Sequence, residues 1–231
     1  MYSDMEERIK RRLALSKPVS FIRQRQYADT ITEYFQACFP QRRTEVLTGG
    51  EQHGSSISVQ VLYPLPQEPF YVVHTVRLLA ATASTPACEL WLLLPSTWPF
   101  QQAGLIHLQE PAAWPLRLLG KLGEQVRAHR ISLANGVSVP YCQAAPEGAA
   151  GERAPAGVIM AQISGDLAAV KEKNHIVAEL FMPVLVYKEE WELMKDMGTD
   201  ALLESVIACN QGSFQLQLHR PNVADMEFIL Q

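Results

Sequence analysis

The sequence predicts an α+β fold in which helices pack on a mixed and largely antiparallel sheet. Stretches of alternating or unbroken apolar residues, which are typical of strands, recur along most of the chain. Two longer stretches instead place their apolar residues at helical spacing. Hydrophobic residues make up 48% and charged residues 19% of the 231 residues, so the chain can bury a core without a disulfide or a metal.

Composition and charge narrow the classes of partner. The formal net charge of −4 gives no general attraction to nucleic acid or to anionic lipid, so neither is expected as a partner. The longest apolar runs are about five residues, far short of the ~20 that a membrane helix needs. The N-terminal stretch MYSDMEERIKRRLALS has no apolar core of signal-peptide length, which predicts a cytoplasmic protein. Four scattered cysteines are therefore expected to be reduced thiols: Cys38, Cys88, Cys142 and Cys209.

Two helices are predicted before the first strand. Ser3 with Glu6 forms a potential capping box, which predicts a short helix over 4–15. A second helix is predicted over 18–38, because apolar residues recur there at helical spacing and stop before Pro40. One face of this helix should lie on the sheet; its apolar stripe is Phe21, Ala28, Ile31, Phe35 and Cys38.

Three strands are predicted where the apolar period changes to two. Residues 44–48 and 56–63 flank Gly49-Gly50, a dipeptide that can take the backbone conformation of a hairpin turn. Residues 70–80 (FYVVHTVRLLA) have few polar positions, which indicates a strand that is buried on both faces.

The stretch ELWLLLP predicts the innermost strand, over 88–94. Five consecutive apolar residues fit either a buried helix or a buried strand, because periodicity does not separate the two. Pro86 and Pro95 leave only eight residues between them, which is short for a helix. Pro95 also cannot donate a hydrogen bond to a neighbouring strand, so strand pairing should stop there. An interior strand covered on both faces is therefore expected.

Trp98 follows this strand and precedes Pro99. Prolines on either side stiffen the backbone, so the indole should point in one defined direction. Two interpretations follow. A large hydrophobe that folds back over the sheet to close the core is favoured, and an aromatic floor of a binding cleft is the alternative.

The second half of the chain continues the α+β pattern. A long helix is predicted over 114–129, where apolar residues again recur at helical spacing. Strands are predicted at 137–139, 157–163 and 176–187, the last with Pro183 as a bulge or an edge point.

Residues 143–156 (QAAPEGAAGERAPA) are small, rich in proline and glycine, and without period, which predicts a surface loop. Strand signals resume after it without a change in composition, so a single domain over residues 1–231 is predicted.

The C-terminal part predicts two short helices and an edge strand. One helix begins at Lys188 with acids in its first turn and ends at Gly198. The next is predicted over 200–209 with Thr199 as its cap, and residues 213–219 alternate as an edge strand does.

Five pieces of the sequence, taken in order, resemble the suppressor-of-fused domain family. They are PFYVVHTVRL, ELWLLLPSTWP, WPLRLLGKLGEQV, a strand after Asn-Gly, and FMPVLVYKEEWELMKDMGTDALLESV. Each piece is weak alone, but the ordered series is specific and covers about residues 57–208. The residues that match the family motif are Thr75, Glu89, Pro95, Trp98, Pro99 and Glu190.

The resemblance implies both a fold and a function. The family's fold is a mixed sheet with helices packed around it. Its animal member is an intracellular regulator that sequesters a zinc-finger transcription factor by clamping a peptide segment, with a second domain and a long insertion for which this chain is too short. Bacterial members are often single-domain, and many are regarded as immunity proteins that neutralise polymorphic toxins. The chain is similar to that bacterial type, and the resemblance supplies no catalytic residue.

Local catalytic motifs are missing from the sequence. It contains no G-x-S-x-G elbow and no phosphate-binding loop of the G-x-x-x-x-G-K type. The six histidines lie at least 21 residues apart, which excludes local metal-ligand spacings such as H-E-x-x-H, so neither a metal nor a cofactor is expected. His74 is interpreted as a hydrogen-bonded core histidine rather than a base, and Glu89 as the ion-pair partner of Arg77 on the neighbouring strand.

The sequence thus predicts a non-catalytic protein-binding module, of which a toxin-neutralising immunity protein is the preferred form. A regulatory scaffold for an endogenous protein is the alternative, and an enzyme with a spatially assembled site is the third. The partner's segment is expected to add to a sheet edge or to fill a groove. Trp98, Trp114 and Arg77 are the predicted contact residues, because Trp and Arg dominate binding hot spots.

Overall fold

The structure is a computed structural model that describes most of the chain. The described residues are 27–47, 57–76, 78, 87–100, 106–108, 110–140, 155–172, 175–210, 212–217 and 220–226. The predicted helix over 4–15, the turn at Gly49-Gly50, Arg77, Cys142 and residues 143–154 of the predicted loop lie outside these ranges. The single domain over residues 1–231 stays a prediction.

The strands of the described chain form one eight-stranded sheet. They are β1 (Thr44–Leu47), β2 (Ser58–Leu62), β3 (Phe70–Val76), β4 (Ala87–Pro95), β5 (Ser138–Pro140), β6 (Pro155–Ala161), β7 (Ala169–Glu172) and β8 (His175–Tyr187). Their order across the sheet is β1-β2-β3-β4-β8-β6-β5, and β7 also pairs with β8. All these pairs are antiparallel except β4 with β8, so the predicted mixed and largely antiparallel sheet is confirmed.

The predicted innermost strand is confirmed in β4. It lies between β3 and β8, and its residues from Ala87 to Leu92 are all buried. The apolar run has no polar face because both faces of the sheet are covered there. Pairing with β3 stops at Pro95, which lies opposite Phe70.

Helices cover both faces of the sheet. They are α1 (helical over the described residues 27–38), α2 (Trp114–Arg127), α3 (Lys188–Met197) and α4 (Thr199–Cys209). Residues of α2 pack in one core with β2, β3, β4 and Phe181 of β8. Residues of α1 pack against the opposite face in a second core, which includes Leu180 and Met182. The third core joins α4 to β6 and to Val186 on the C-terminal half of β8.

Several elements differ from the sequence prediction. Pro155 and Ala156 belong to β6 rather than to the preceding loop, and the prediction missed β7. Gly198, with φ +84, is the N-cap of α4, so Thr199 is its first helical residue and not its cap. Residues 213–217 do not form an edge strand; they make one isolated bridge inside the sheet.

His74 connects α1 to the sheet. Its ring is fully buried and stacks on the ring of Phe35 with centroids 3.9 Å apart, while Nδ1 lies 2.9 Å from the Thr75 carbonyl oxygen. The predicted hydrogen-bonded core histidine is therefore confirmed. Burial lowers the pKa of His74 to about 4, so the ring is neutral at neutral pH.

This burial predicts a loss of stability in mild acid. The unfolded chain takes up a proton on this histidine near pH 6.5, whereas the folded chain does so only near pH 4. The free energy of unfolding should therefore fall as pH drops from 6.5 to 4, by up to about 1.4 kcal/mol per pH unit from this residue.

We expect His74→Phe, which keeps a stacked ring, to flatten that slope in urea unfolding between pH 7 and pH 4.5. His175→Phe, at an exposed position, serves as the control and should keep the slope. An unchanged slope in His74→Phe would contradict the assignment.

Candidate partner-binding groove

A gap opens in the middle of the sheet where β4 and β8 part. The two strands pair in parallel only between Ala87–Leu90 and Ala178–Phe181. Beyond this contact, β4 continues along β3 to Pro95, and β8 continues along β6 to Tyr187. Among the described strands, β4 pairs in this region only with β3, and β8 pairs only with β6, each on the side away from the other strand. The gap therefore lies between the facing edges of β4 and β8.

Residues 213–217 lie in this gap beside β4. Leu93 and Gln215 form an isolated parallel bridge, and the Leu216 N–H donates to the Leu93 carbonyl at 2.8 Å. Asn210, which ends α4, anchors the segment because its amide donates to the carbonyls of Ser213 at 2.7 Å and Gln215 at 3.0 Å. The segment therefore takes a strand-like position next to β4 without forming a strand.

A groove remains, lined by residues 213–217 on one side and by β8 on the other. The space within it is about 690 Å³ when the open solvent at its mouth is counted. The apolar lining includes Leu92, Val184, Leu185, Ile207, Phe214 and Leu216. Several of these side chains are only half-buried, so the groove offers an apolar surface to a ligand.

Asn210 and Pro183 give this lining two further features. The Asn210 Oδ1 atom is buried and has no hydrogen-bond partner among the described residues. Pro183 lies on β8 just where that strand leaves β4, and it has no N–H to donate. The position of Pro183 therefore agrees with the predicted edge point, since β8 has no partner strand on its inner side there.

The ion pair between Glu190 and Arg220 holds the C-terminal segment in place. The Glu190 carboxylate is fully buried, and the two Arg220 Nη atoms donate to its two oxygens at 2.5 and 2.6 Å. The same carboxylate accepts the N–H groups of Tyr187 at 2.8 Å and Val223 at 2.9 Å. These four donors compensate for burial of the charge, because a buried carboxylate is tolerated only when it is paired and hydrogen-bonded.

Arg220 also connects this ion pair to the groove. Its guanidinium lies 4.6 Å from the centre of the Tyr187 ring, and Nη2 donates to the Leu185 carbonyl at 2.8 Å. Arg220 and Leu185 both line the groove. A side chain thus satisfies a backbone acceptor of β8 in the region where β4 no longer accompanies that strand.

Glu89 lies in the part of β4 that pairs with β8, and its carboxylate connects several elements. Its fully buried carboxylate accepts hydrogen bonds from Thr75 Oγ1 at 2.5 Å, from the Tyr27 hydroxyl at 2.8 Å and from the Leu78 N–H at 3.0 Å. Burial and the Glu89 charge raise the pKa of Tyr27, so this tyrosine stays a donor. The predicted pairing with Arg77 falls outside the described residues, and the described partners already join α1, β3 and β4.

The two predicted contact tryptophans are core side chains. Trp98 is 4% exposed, and its indole N–H donates to the Ala112 carbonyl at 2.8 Å. Trp114 is 2% exposed, lies 5.8 Å from Trp98 between ring centroids, and forms part of the groove floor. The favoured interpretation of Trp98 as a residue that closes the core agrees with this burial. The contact role predicted for these two tryptophans and for Arg77 stays a prediction.

Sequence reasoning missed Asn210 and Arg220. Neither residue belongs to a local motif, and the partners that give them a role lie on other elements, such as Glu190 at 30 positions from Arg220. No signal in a single sequence could have identified them. Of the family-motif residues, Thr75, Glu89 and Glu190 have hydrogen-bonded structural positions.

Within the described ranges, no group of three or more His, Cys, Asp or Glu side chains could hold a metal ion. No helix among the described residues is long and apolar enough to cross a membrane. Cys38, Cys88 and Cys209 are free thiols, and burial raises the pKa of Cys88 to about 12.

Comparisons with known proteins agree on one family. The family model described as Suppressor of fused protein matches residues 61–221. No curated protein sequence matches the chain.

Several solved structures share the fold. A structure of Sufu in complex with Fu has a TM-score of 0.64 at 15% identity and covers 86% of this chain and 93% of its own. A suppressor-of-fused homologue from Neisseria gonorrhoeae has a TM-score of 0.56 at 13% identity, covering 86% and 97%. Drosophila Suppressor of Fused has a TM-score of 0.59 at 14% identity, covering 86% of this chain but 50% of that one.

Breaking the buried ion pair should destabilise the protein strongly. In Glu190→Gln the Arg220 charge would remain buried without its partner, so we expect a loss of about 3–5 kcal/mol in the free energy of unfolding. The control is Glu192→Gln on the same helix, where both Glu192 and its partner Lys195 are 59% exposed and the loss should stay below about 1 kcal/mol. Urea unfolding monitored by circular dichroism measures both. Equal losses in the two variants would show that the Glu190–Arg220 pair has no special role.

Proposed function

Because this chain belongs to the suppressor-of-fused family, we propose that it is a non-catalytic protein-binding module whose site is the groove between residues 213–217 and β8. Its ligand is an extended, apolar segment of another polypeptide. The observation that carries the proposal is the half-buried apolar lining of a gap between two strands that have parted.

The shape of the gap supports an extended ligand rather than a globular one. The groove follows β8 over Met182–Tyr187, the half of the strand that β4 does not accompany. Extended segments commonly bind beside strands, where main-chain hydrogen bonds give affinity and alternate side chains enter pockets. The chain's own residues 213–217 already run beside β4 in this manner, with Leu216 donating to Leu93.

The chemistry of the lining defines the expected ligand more closely. Val184, Leu185, Ile207 and Phe214 present apolar surface, so the ligand's inward side chains are aliphatic or aromatic. The buried Asn210 Oδ1 is an acceptor with no described partner, and a backbone N–H of the ligand would satisfy it. Trp114 lines the groove, and Trp98 packs against Trp114 from within the core.

Site-specific photo-crosslinking tests the location of the site. With p-benzoylphenylalanine in place of Gln217, which is exposed and lines the groove, we expect a cross-link to one polypeptide in a lysate of the native host. The same probe in place of Val46, exposed on β1, should not link to that polypeptide. Adding Ile207→Lys should reduce the cross-link at least 10-fold because a charge enters the apolar groove, whereas Ile176→Lys on the exposed start of β8 should not. Equal cross-linking from Val46, or survival with Ile207→Lys, would place the site elsewhere.

We further propose that the bound polypeptide is a toxin and that the chain is its immunity protein, which rests on the resemblance to single-domain bacterial members. The polypeptide captured through Gln217, expressed alone in a heterologous bacterium, should then arrest growth. Co-expression of the wild-type chain or of Ile176→Lys should restore growth, and Ile207→Lys should fail to do so. A captured polypeptide that causes no arrest would instead support the alternative, a regulatory scaffold that binds an endogenous protein.

A further inference from the structure

Three residues that are register partners on strands β2, β3 and β4 each carry a buried polar atom without a described partner. Among the described residues, Gln60 Oε1, His74 Nε2 and Trp91 Nε1 have no hydrogen-bond partner. All three side chains are buried, with exposures of 2% for Gln60 and 0% for His74 and Trp91. Native proteins rarely leave such atoms unpaired, so a cluster of three points to a bound group.

The strand register brings the three side chains to one face. Gln60 of β2 lies opposite His74 of β3, and His74 lies opposite Trp91 of β4. Side chains directly opposite each other on neighbouring strands share a face and have Cβ atoms about 4.5–5.5 Å apart. The three side chains therefore form one row across β2, β3 and β4, with His74 in its centre, and the α1 residue Phe35 stacks on His74.

Each of the three atoms can be assigned as a hydrogen-bond donor or acceptor. The Thr75 carbonyl oxygen can only accept, so its contact with His74 Nδ1 places the ring proton on Nδ1 and leaves a lone pair on Nε2. The amide oxygen of Gln60 is likewise an acceptor, and the indole nitrogen of Trp91 is a donor only. The row thus presents two acceptors and one donor.

We propose that one water molecule is bound in this row, where it accepts a hydrogen bond from Trp91 Nε1–H and donates to His74 Nε2 and Gln60 Oε1. A water molecule has two hydrogens to donate and can accept at the same time, so it matches two acceptors and one donor. About three hydrogen bonds is the usual number for a buried structural water. A cation would not suit the site, because the Trp91 indole N–H cannot coordinate it.

This water links strands β2, β3 and β4 through side chains, in addition to their backbone hydrogen bonds. It also orients the His74 ring against which Phe35 packs. The site is thus part of the contact between α1 and the sheet, and it does not depend on the proposed partner groove.

A crystal structure of the full chain at a resolution of about 1.5 Å tests the proposal directly. We expect one isolated density peak within hydrogen-bonding distance, about 2.7–3.2 Å, of all three atoms. Absence of the peak, or direct pairing of the Gln60 amide with His74 Nε2, would overturn the proposal.

Nuclear magnetic resonance of the ¹⁵N-labelled wild-type chain provides a solution test. The Trp91 indole proton should show a rotating-frame Overhauser cross-peak at the water frequency, with the sign that excludes chemical exchange. Trp98 is the internal control because its indole N–H already donates to the Ala112 carbonyl, so it should show no such peak. Trp91→Phe assigns the resonance by its loss. A Trp91 indole that behaves like that of Trp98 would contradict a bound water.

Discussion

The short parallel contact between β4 and β8 is the constraint on which the rest of the structure depends. All other strand pairs of the described sheet are antiparallel, so this contact joins two antiparallel halves. It involves only Ala87–Leu90 and Ala178–Phe181, after which each strand follows a different neighbour. A sheet that divides in its centre leaves unpaired backbone there, and such backbone must be satisfied by other groups. Residues 213–217 and the Arg220 guanidinium supply those groups, and the groove is the space they leave.

Two buried carboxylates define the positions of segments that are distant in sequence. Glu89 receives donors from α1 and β3, and Glu190 receives the guanidinium of Arg220 and two backbone N–H groups. A buried carboxylate without donors would be very costly, so these donors stabilise the fold. The described role of Glu89 and Glu190 is structural, since every described partner of these carboxylates belongs to the scaffold.

The proposed function uses the same division of the sheet. Helices α1, α3 and α4 cover one face of the sheet, and α2 covers the other. A partner would therefore reach the central strands of the sheet chiefly through the gap. Trp114 lines that gap, and the buried Trp98 packs against Trp114 with ring centroids 5.8 Å apart. An apolar groove in which the Asn210 Oδ1 atom has no described partner suits an extended segment, whose apolar side chains and backbone N–H groups could satisfy both features.

The sequence by itself determined the fold class, the interior position of β4 and the face of α1 that is buried, because apolar periodicity and proline positions are local signals. It also indicated the family through an ordered series of motifs. Tertiary structure alone decided the groove and its residues. Asn210 and Arg220 acquire their roles from partners on other elements, and residues 213–217 alternate like an edge strand yet lie inside the sheet. Alternation reports which side chains are apolar, but not which backbone lies next to them, and only the packed sheet determines that neighbour.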